Sequence, residues 1–149
     1  MRNLLRFSAL GMFCLAACSA DQITFADGST ANWAHWKGRW VLINYWAEWC
    51  APCRREIPEL NSLHRDRARS GAVIFGVNYD GIAGDELHAL AQKMGITFPV
   101  LAEDPRGRFV YERPTVLPTT VIVGPDGEVF RIMVGAQTVE TLQDAFGET

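Results

Sequence analysis

Cysteine is scarce in this chain. There are four in 149 residues, and two of them, Cys14 and Cys18, fall close to the N-terminus. So few exclude a multi-bridge disulfide scaffold and leave Cys50 and Cys53 as a close pair in the body of the chain. Histidine is scarcer still. His35, His64 and His88 are not paired at ligand spacing, so the two cysteines lack the partners of a tetrahedral zinc site. Basic charge is not in excess, with 14 Lys and Arg against 17 Asp and Glu and a formal net charge of −3. With no basic stripe either, a nucleic-acid surface is excluded. No apolar run reaches the roughly 20 residues of a membrane-spanning helix. Repeats, low-complexity tracts and internal linkers are absent. The remainder is ordinary globular composition, 48% hydrophobic and 21% charged, in a length that suits one domain.

The N-terminus reads as a processing segment. Arg2 and Arg6 precede an almost wholly apolar or small run from Phe7 to Ala17, the pattern of a secretory signal. Leu15–Ala16–Ala17–Cys18 resembles the bacterial lipobox, in which cleavage leaves the cysteine as a lipid-bearing N-terminus. The expected organisation is a lipoprotein signal peptide over 1–17, a polar tether over 18–22 and a folded domain over 23–149. Ordinary cleavage after Ala20 is the alternative. A lipid on Cys18 would place the protein at a membrane of the cell envelope.

Along the domain, Ile23–Phe25 suggests a first strand and Asp27–Gly28 a turn. Trp40–Trp46 is bulky and β-branched, as a buried strand requires. A helix is predicted from Cys50 to about Arg69, with Ile57, Leu60, Leu63 and His64 at helical spacing and a kink at Pro58. Arg65, Arg67 and Arg69 then suit its C-terminal dipole. Ala72–Val77 is a second buried strand. Asp85–Met94 is a helix stopped by Gly95, and Phe98–Leu101 is a short extended piece. Thr119–Val123 and Glu128–Val134 are strands joined by the turn Pro125–Asp126–Gly127. Thr138 opens a last helix that buries Val139, Leu142 and Phe146. This order predicts an α/β fold, a mixed central sheet with helices on both faces.

Cys50 and Cys53 fall where the Trp40–Trp46 strand hands over to a helix. The first turn of a helix leaves backbone N–H groups free, and its dipole favours negative charge. A thiolate on Cys50 is therefore stabilised. Cys50, expected to be the more exposed sulfur, would attack a disulfide. Cys53 would then displace the captured group and close the Cys50–Cys53 bond. Pro52 restricts the loop between them. Trp46 and Trp49 flank the pair, one expected beneath it and the other on the surface that meets substrate. Glu48 is a nearby carboxylate expected to be solvated. No cofactor beyond the Cys50–Cys53 disulfide is called for.

The segment Asn44–Tyr45–Trp46–Ala47–Glu48–Trp49–Cys50–Ala51–Pro52–Cys53–Arg54–Arg55–Glu56–Ile57–Pro58 resembles the TlpA/ResA-like branch of the thioredoxin superfamily. Gly76–Val77–Asn78, Leu117–Pro118–Thr119–Thr120 and Gly124–Pro125–Asp126–Gly127 extend the likeness over residues 23–146. The resemblance implies a thioredoxin-like fold and thiol–disulfide exchange. It implies that Pro118 is cis beside the cysteines, with Leu117, Pro118 and Thr119 forming a substrate-binding edge. The branch commonly has Asn at the position of Asn44, where ordinary thioredoxins often have a buried Asp. Asn cannot take a proton, so another base is needed for Cys53. The branch often supplies a glutamate after the strand corresponding to Ala72–Val77. Here Asp80 lies nearby, a candidate proton acceptor whose other reading is a turn cap before Gly81.

The resemblance further implies a periplasmic reductase of envelope protein disulfides, re-reduced by a membrane thiol-electron donor of the DsbD or CcdA type. Apocytochromes awaiting haem are candidate substrates. The region Thr115–Thr119 lacks the acidic Gly-Ala-Pro-Glu type segment often found at the proline of members with a cytochrome role. A monomer is expected. The rival functions are a disulfide-forming oxidase on the same fold and a non-enzymatic metal or haem chaperone using the two thiols. A peroxidase on a related fold would need its reactive cysteine in another context.

Overall fold

The computed structural model describes residues 21–147. The signal, the lipobox and Cys18 lie outside the described residues. A small antiparallel hairpin opens the fold, β1 (Gln22–Thr24) against β2 (Thr30–Asn32). It starts one residue before the expected strand. Asp21 is also engaged, since its carbonyl accepts the Trp33 N–H at 2.9 Å. The fold therefore takes in two residues assigned to the tether. Neither β2 nor the 3-10 turn over Trp33–Trp36 was expected. Both are too short to show a period.

The main sheet has four strands: β3 (Trp40–Trp46), β4 (Ala72–Asn78), β5 (Thr119–Val123) and β6 (Val129–Val134). Their spatial order is β4-β3-β5-β6. β3 runs parallel to β4, and β5 runs antiparallel to both β3 and β6. The expected mixed sheet is therefore present. The central strands are apolar on both faces because both faces are covered. Val41, Ile43 and Tyr45 of β3 join one core cluster, and Leu42 joins another.

The helix after β3 is divided. α1 spans Ala51–Arg65 and α2 spans Arg67–Ser70, with Asp66 between them in a non-helical conformation. α1 buries Leu60 and Leu63 against Leu42 and Ile74, beside Leu142 and Phe146 of the last helix, α5 (Val139–Gly147). α3 (Gly84–Lys93) packs Leu87, Leu90 and Ala91 towards the cysteines, and α4 (Arg106–Phe109) is a single turn. The opposite sheet face is covered by Phe25, Trp33, Trp36 and Phe109. Trp33 meets Phe75 and Phe109 edge-on, at centroid distances of 5.3 and 5.2 Å. The extended piece at 98–101 flanks β4 through a parallel bridge from Val100 to Gly76. Helical elements thus lie on both faces, and β3 leaves the sheet directly into the Cys50 turn.

Candidate active site

Cys50 is the N-cap of α1, with an extended backbone at φ −79° and ψ 97°. Its sulfur accepts the backbone N–H of Cys53 at 3.2 Å. This is the free first-turn donor that stabilises negative charge on a sulfur at this position. The two sulfurs are joined as a disulfide, with Cα atoms 5.3 Å apart. Pro52 lies in the first turn, where its missing N–H costs no helical bond.

Cys50 is 3% exposed and Cys53 1%. The expected order holds, but the difference is small, because the closed disulfide tucks both sulfurs among Ala26, Trp46, Leu87 and Val100. The two tryptophans separate cleanly. Trp46 is fully buried in that cluster, whereas Trp49, beside Cys50, is 64% exposed. The Trp49 indole N–H donates to both carboxylate oxygens of Asp80 at 3.1 Å. Asp80 therefore sits at the surface holding an indole. The turn is capped instead by Asn78, whose Oδ1 accepts the N–H groups of Asp80 and Ile82. Glu48 pairs with Lys93 at 2.5 Å on the surface.

The Leu117–Pro118 peptide is cis. Leu117 packs against the cluster that holds Cys50 and Cys53. The Pro118 carbonyl accepts the Gly135 N–H at 2.8 Å, and Thr119 Oγ1 donates to the Val116 carbonyl at 2.8 Å. The proline loop is thus tied to β6 on one side and rests beside the disulfide on the other.

The buried carboxylate of the site is Glu56. It belongs to the Asn44–Pro58 motif, whose local pattern alone gives it no role. Glu56 is 1% exposed. Asn44 Nδ2 donates to its Oε2 and to Thr120 Oγ1, each at 3.0 Å. The backbone N–H of Gln137 donates to its Oε1, also at 3.0 Å. Burial pushes the carboxyl up to about 7, against the lowering pull of those two hydrogen bonds. Glu56 lies three residues after Cys53, so both occupy one face of α1. A signal existed in the sequence: a lone carboxylate on the apolar stripe of Cys53, Ile57, Leu60 and Leu63. Among the described residues, no group of three or more His, Cys, Asp or Glu side chains is placed to hold a metal.

A buried Cys-X-X-Cys disulfide at a helix N-terminus, with a cis-proline loop packed on its cluster through Leu117 and a buried carboxyl one turn further along the helix, defines a thioredoxin-fold thiol–disulfide oxidoreductase. Known proteins agree. The AhpC/TSA family profile matches residues 16–132, and the chain belongs to that family. The thiol-disulfide oxidoreductase ResA of Geobacillus kaustophilus is 30% identical over 121 residues, 81% of this chain and 69% of its own length. About a third of that relative therefore has no aligned counterpart here. Among solved structures, a thioredoxin-family thiol:disulfide interchange protein from Chlorobium tepidum superposes with a TM-score of 0.70 at 24% identity, covering 85% of this chain and 90% of its own. The exposed lipoprotein thioredoxin of Streptococcus pneumoniae gives 0.69 at 19% identity, covering 86% and 98%. These two likenesses are likenesses of fold.

Proposed function

We propose that the protein is a lipid-anchored, periplasmic reductase of protein disulfides, working as a monomer without a cofactor beyond its own cysteine pair. The observation that carries this reading is the Cys50 sulfur at the α1 N-cap with Glu56 one turn beyond Cys53. In the reduced protein, the Cys50 thiolate attacks a substrate disulfide. An S–S bond forms to Cys50, and one substrate sulfur leaves as thiolate. Glu56 accepts the Cys53 proton. Cys53 then attacks Cys50, closes the intramolecular disulfide and releases the second substrate sulfur as thiolate. Both electrons pass from the protein to the substrate. A membrane thiol donor of the DsbD or CcdA type would return them by the reverse exchange.

The chemistry assigns the proton-accepting role to Glu56 rather than Asp80, because only Glu56 is buried on the cysteine face of the helix. Asp80 acts on the surface through Trp49. Leu117 to Thr119 offer an extended substrate segment a backbone edge beside Cys50. The TlpA/ResA-like resemblance of the Asn44–Pro58 motif implies envelope proteins as the substrate class, with apocytochromes as candidates. The sequence Leu15–Cys18 supports the anchor.

The decisive experiment replaces the resolving sulfur. Cys53→Ser should accumulate mixed disulfides between Cys50 and envelope proteins, visible on non-reducing gels and lost when Cys50 is also replaced. An absence of adducts would remove the two-step exchange. The identities of the trapped proteins decide between a general reductase and one devoted to cytochromes.

A further inference from the structure

The end of the domain away from the cysteines carries features that the redox chemistry does not use. β3 joins the sheet there, with Trp40 opposite Ala72 and Val41 opposite Val123. Lys37, Gly71 and the turn after Val123 therefore lie together, and α1 returns its C-terminus to the same end. Arg39 Nε donates to the Gly71 carbonyl at 3.4 Å. A groove of about 360 Å³ opens at this end. Trp33, Trp36 and Phe109 form its apolar wall, and Lys37, Arg39 and Arg108 bring cations to it. Arg65, Arg67 and Arg69 lie at the same end of the domain but outside the groove, at the end of α1 and in α2 on the other sheet face.

At least five carboxylates share this end among the described residues: Asp21 and Asp126, which line the groove, Asp66, Glu128, and Asp144, two residues before the Phe146 ring that meets Trp40 at 5.8 Å. Asp21 is paired with Arg108 at 2.7 Å, and Asp126 accepts the Glu128 N–H. Arg108 and Asp21 neutralise each other, so within the groove lining Lys37 and Arg39 stand against Asp126 alone, in a chain whose formal charge is −3.

The first described residue, Asp21, lies at this groove. Asp21 lines it, fixed by its bond from Trp33 N and its ion pair with Arg108. Cys18 stands three positions earlier, a reach of about 10 Å at most. We infer that this cationic, aromatic groove is a membrane-docking face that seats on an anionic phospholipid surface and turns Cys50 away from it. The inference rests on lipidation of Cys18. Lys and Arg are drawn to anionic headgroups. Trp33 is buried, so the half-buried Trp36 is the groove indole that can reach the interfacial depth. The length of β3 separates the two ends of the domain by about 20 Å. The disulfide then stands in the aqueous space, where it meets its substrates and whatever part of a membrane donor reaches out of the bilayer.

The test uses the full lipid-bearing protein in vesicles containing brominated phospholipid, with and without phosphatidylglycerol. Tryptophan fluorescence should be quenched more in the anionic vesicles. Added salt should reverse the excess, and Trp49→Phe should leave it unchanged. Joint Lys37→Glu, Arg67→Glu and Arg69→Glu replacement should cut the excess at least about threefold, since each cation contributes to surface attraction. Equal quenching in neutral and anionic vesicles would overturn the docking face, and the salt series on the unsubstituted protein keeps that result independent of the variant's folding. A mass spectrum of the N-terminal peptide separates the two readings. Unmodified Cys18 removes the anchor and this inference with it, whereas lipidated protein without salt-sensitive quenching removes this inference alone.

Discussion

Glu56 sets a pH dependence that a surface carboxylate would not. Its carboxyl titrates near 7 in the folded protein because burial penalises the charge. In the unfolded chain it titrates near the ordinary 4.5. Between those values the native state keeps a proton that the unfolded state has lost. Stability from the neutral carboxyl is thus complete below about 4.5 and is lost as pH rises through about 7. A gap of this size corresponds to a few kcal/mol, on the order of 3. Glu56→Gln cannot ionise, so the fall in Tm of the oxidised protein between about pH 5 and 8 should flatten. Thermal melts across that range measure it, and an unchanged slope would show that Glu56 does not titrate there. The same variant should slow resolution of mixed disulfides by about a hundredfold, as loss of a positioned proton acceptor does.

Asp80 calls for a different experiment, because it touches an exposed indole. Asp80→Ala releases Trp49 from both hydrogen bonds. KM for a protein disulfide should rise several-fold while turnover of a small disulfide stays level. Asp80→Asn keeps an oxygen acceptor for the indole N–H and should restore KM. Equal losses on both substrate types would place Asp80 in the chemistry instead.

At the scale of elements, β4 is constrained by its neighbour. A Cβ on Gly76 would sit 2.9 Å from Trp46 Nε1 and 3.0 Å from Phe98 Cε2. Trp46 is fully buried and cannot retreat. Gly76→Ala should therefore cost about 1–3 kcal/mol by overpacking. Gly107→Ala meets nothing within 4 Å and is the matched control. Chemical denaturation of the two variants should differ by that amount, and a Gly76→Ala protein as stable as its control would mean that the Trp46 ring can move.

What was legible in the sequence follows from the same packing. Trp40–Trp46 and Thr119–Val123 matched their predicted bounds because both strands are buried on two faces and flanked by clear breaks. The cysteine pair was legible because its chemistry needs only local spacing. Glu56 was missed because its role depends on Asn44, Thr120 and Gln137, which only the folded chain brings together. The single turn of α4 was missed because its value lies in a tertiary contact, Phe109 against Trp33. The break at Asp66 has no proline or glycine to mark it.

At the scale of the molecule, the two ends of β3 divide the labour. One end holds the disulfide, and the other receives the chain from its N-terminus. Among the described residues, the cluster around Cys50 includes none before Ala26. Loss of the lipid should therefore change location without changing chemistry. Each buried acyl CH₂ contributes about 0.8 kcal/mol to membrane binding, so two or more chains dominate partition. Cys18→Ala should move the protein from the membrane to the soluble fraction, with insulin reduction in vitro within about twofold of the unsubstituted protein. Activity should fall only where the electron donor is itself in the membrane, because a lipid on Cys18 would raise the effective concentration of one for the other by about a hundredfold or more. Fractionation and two assays, one with a soluble chemical reductant and one with the membrane donor, separate these effects. Retention of Cys18→Ala at the membrane would refute the anchor, and an equal loss in both assays would mean that the N-terminus acts on the site itself.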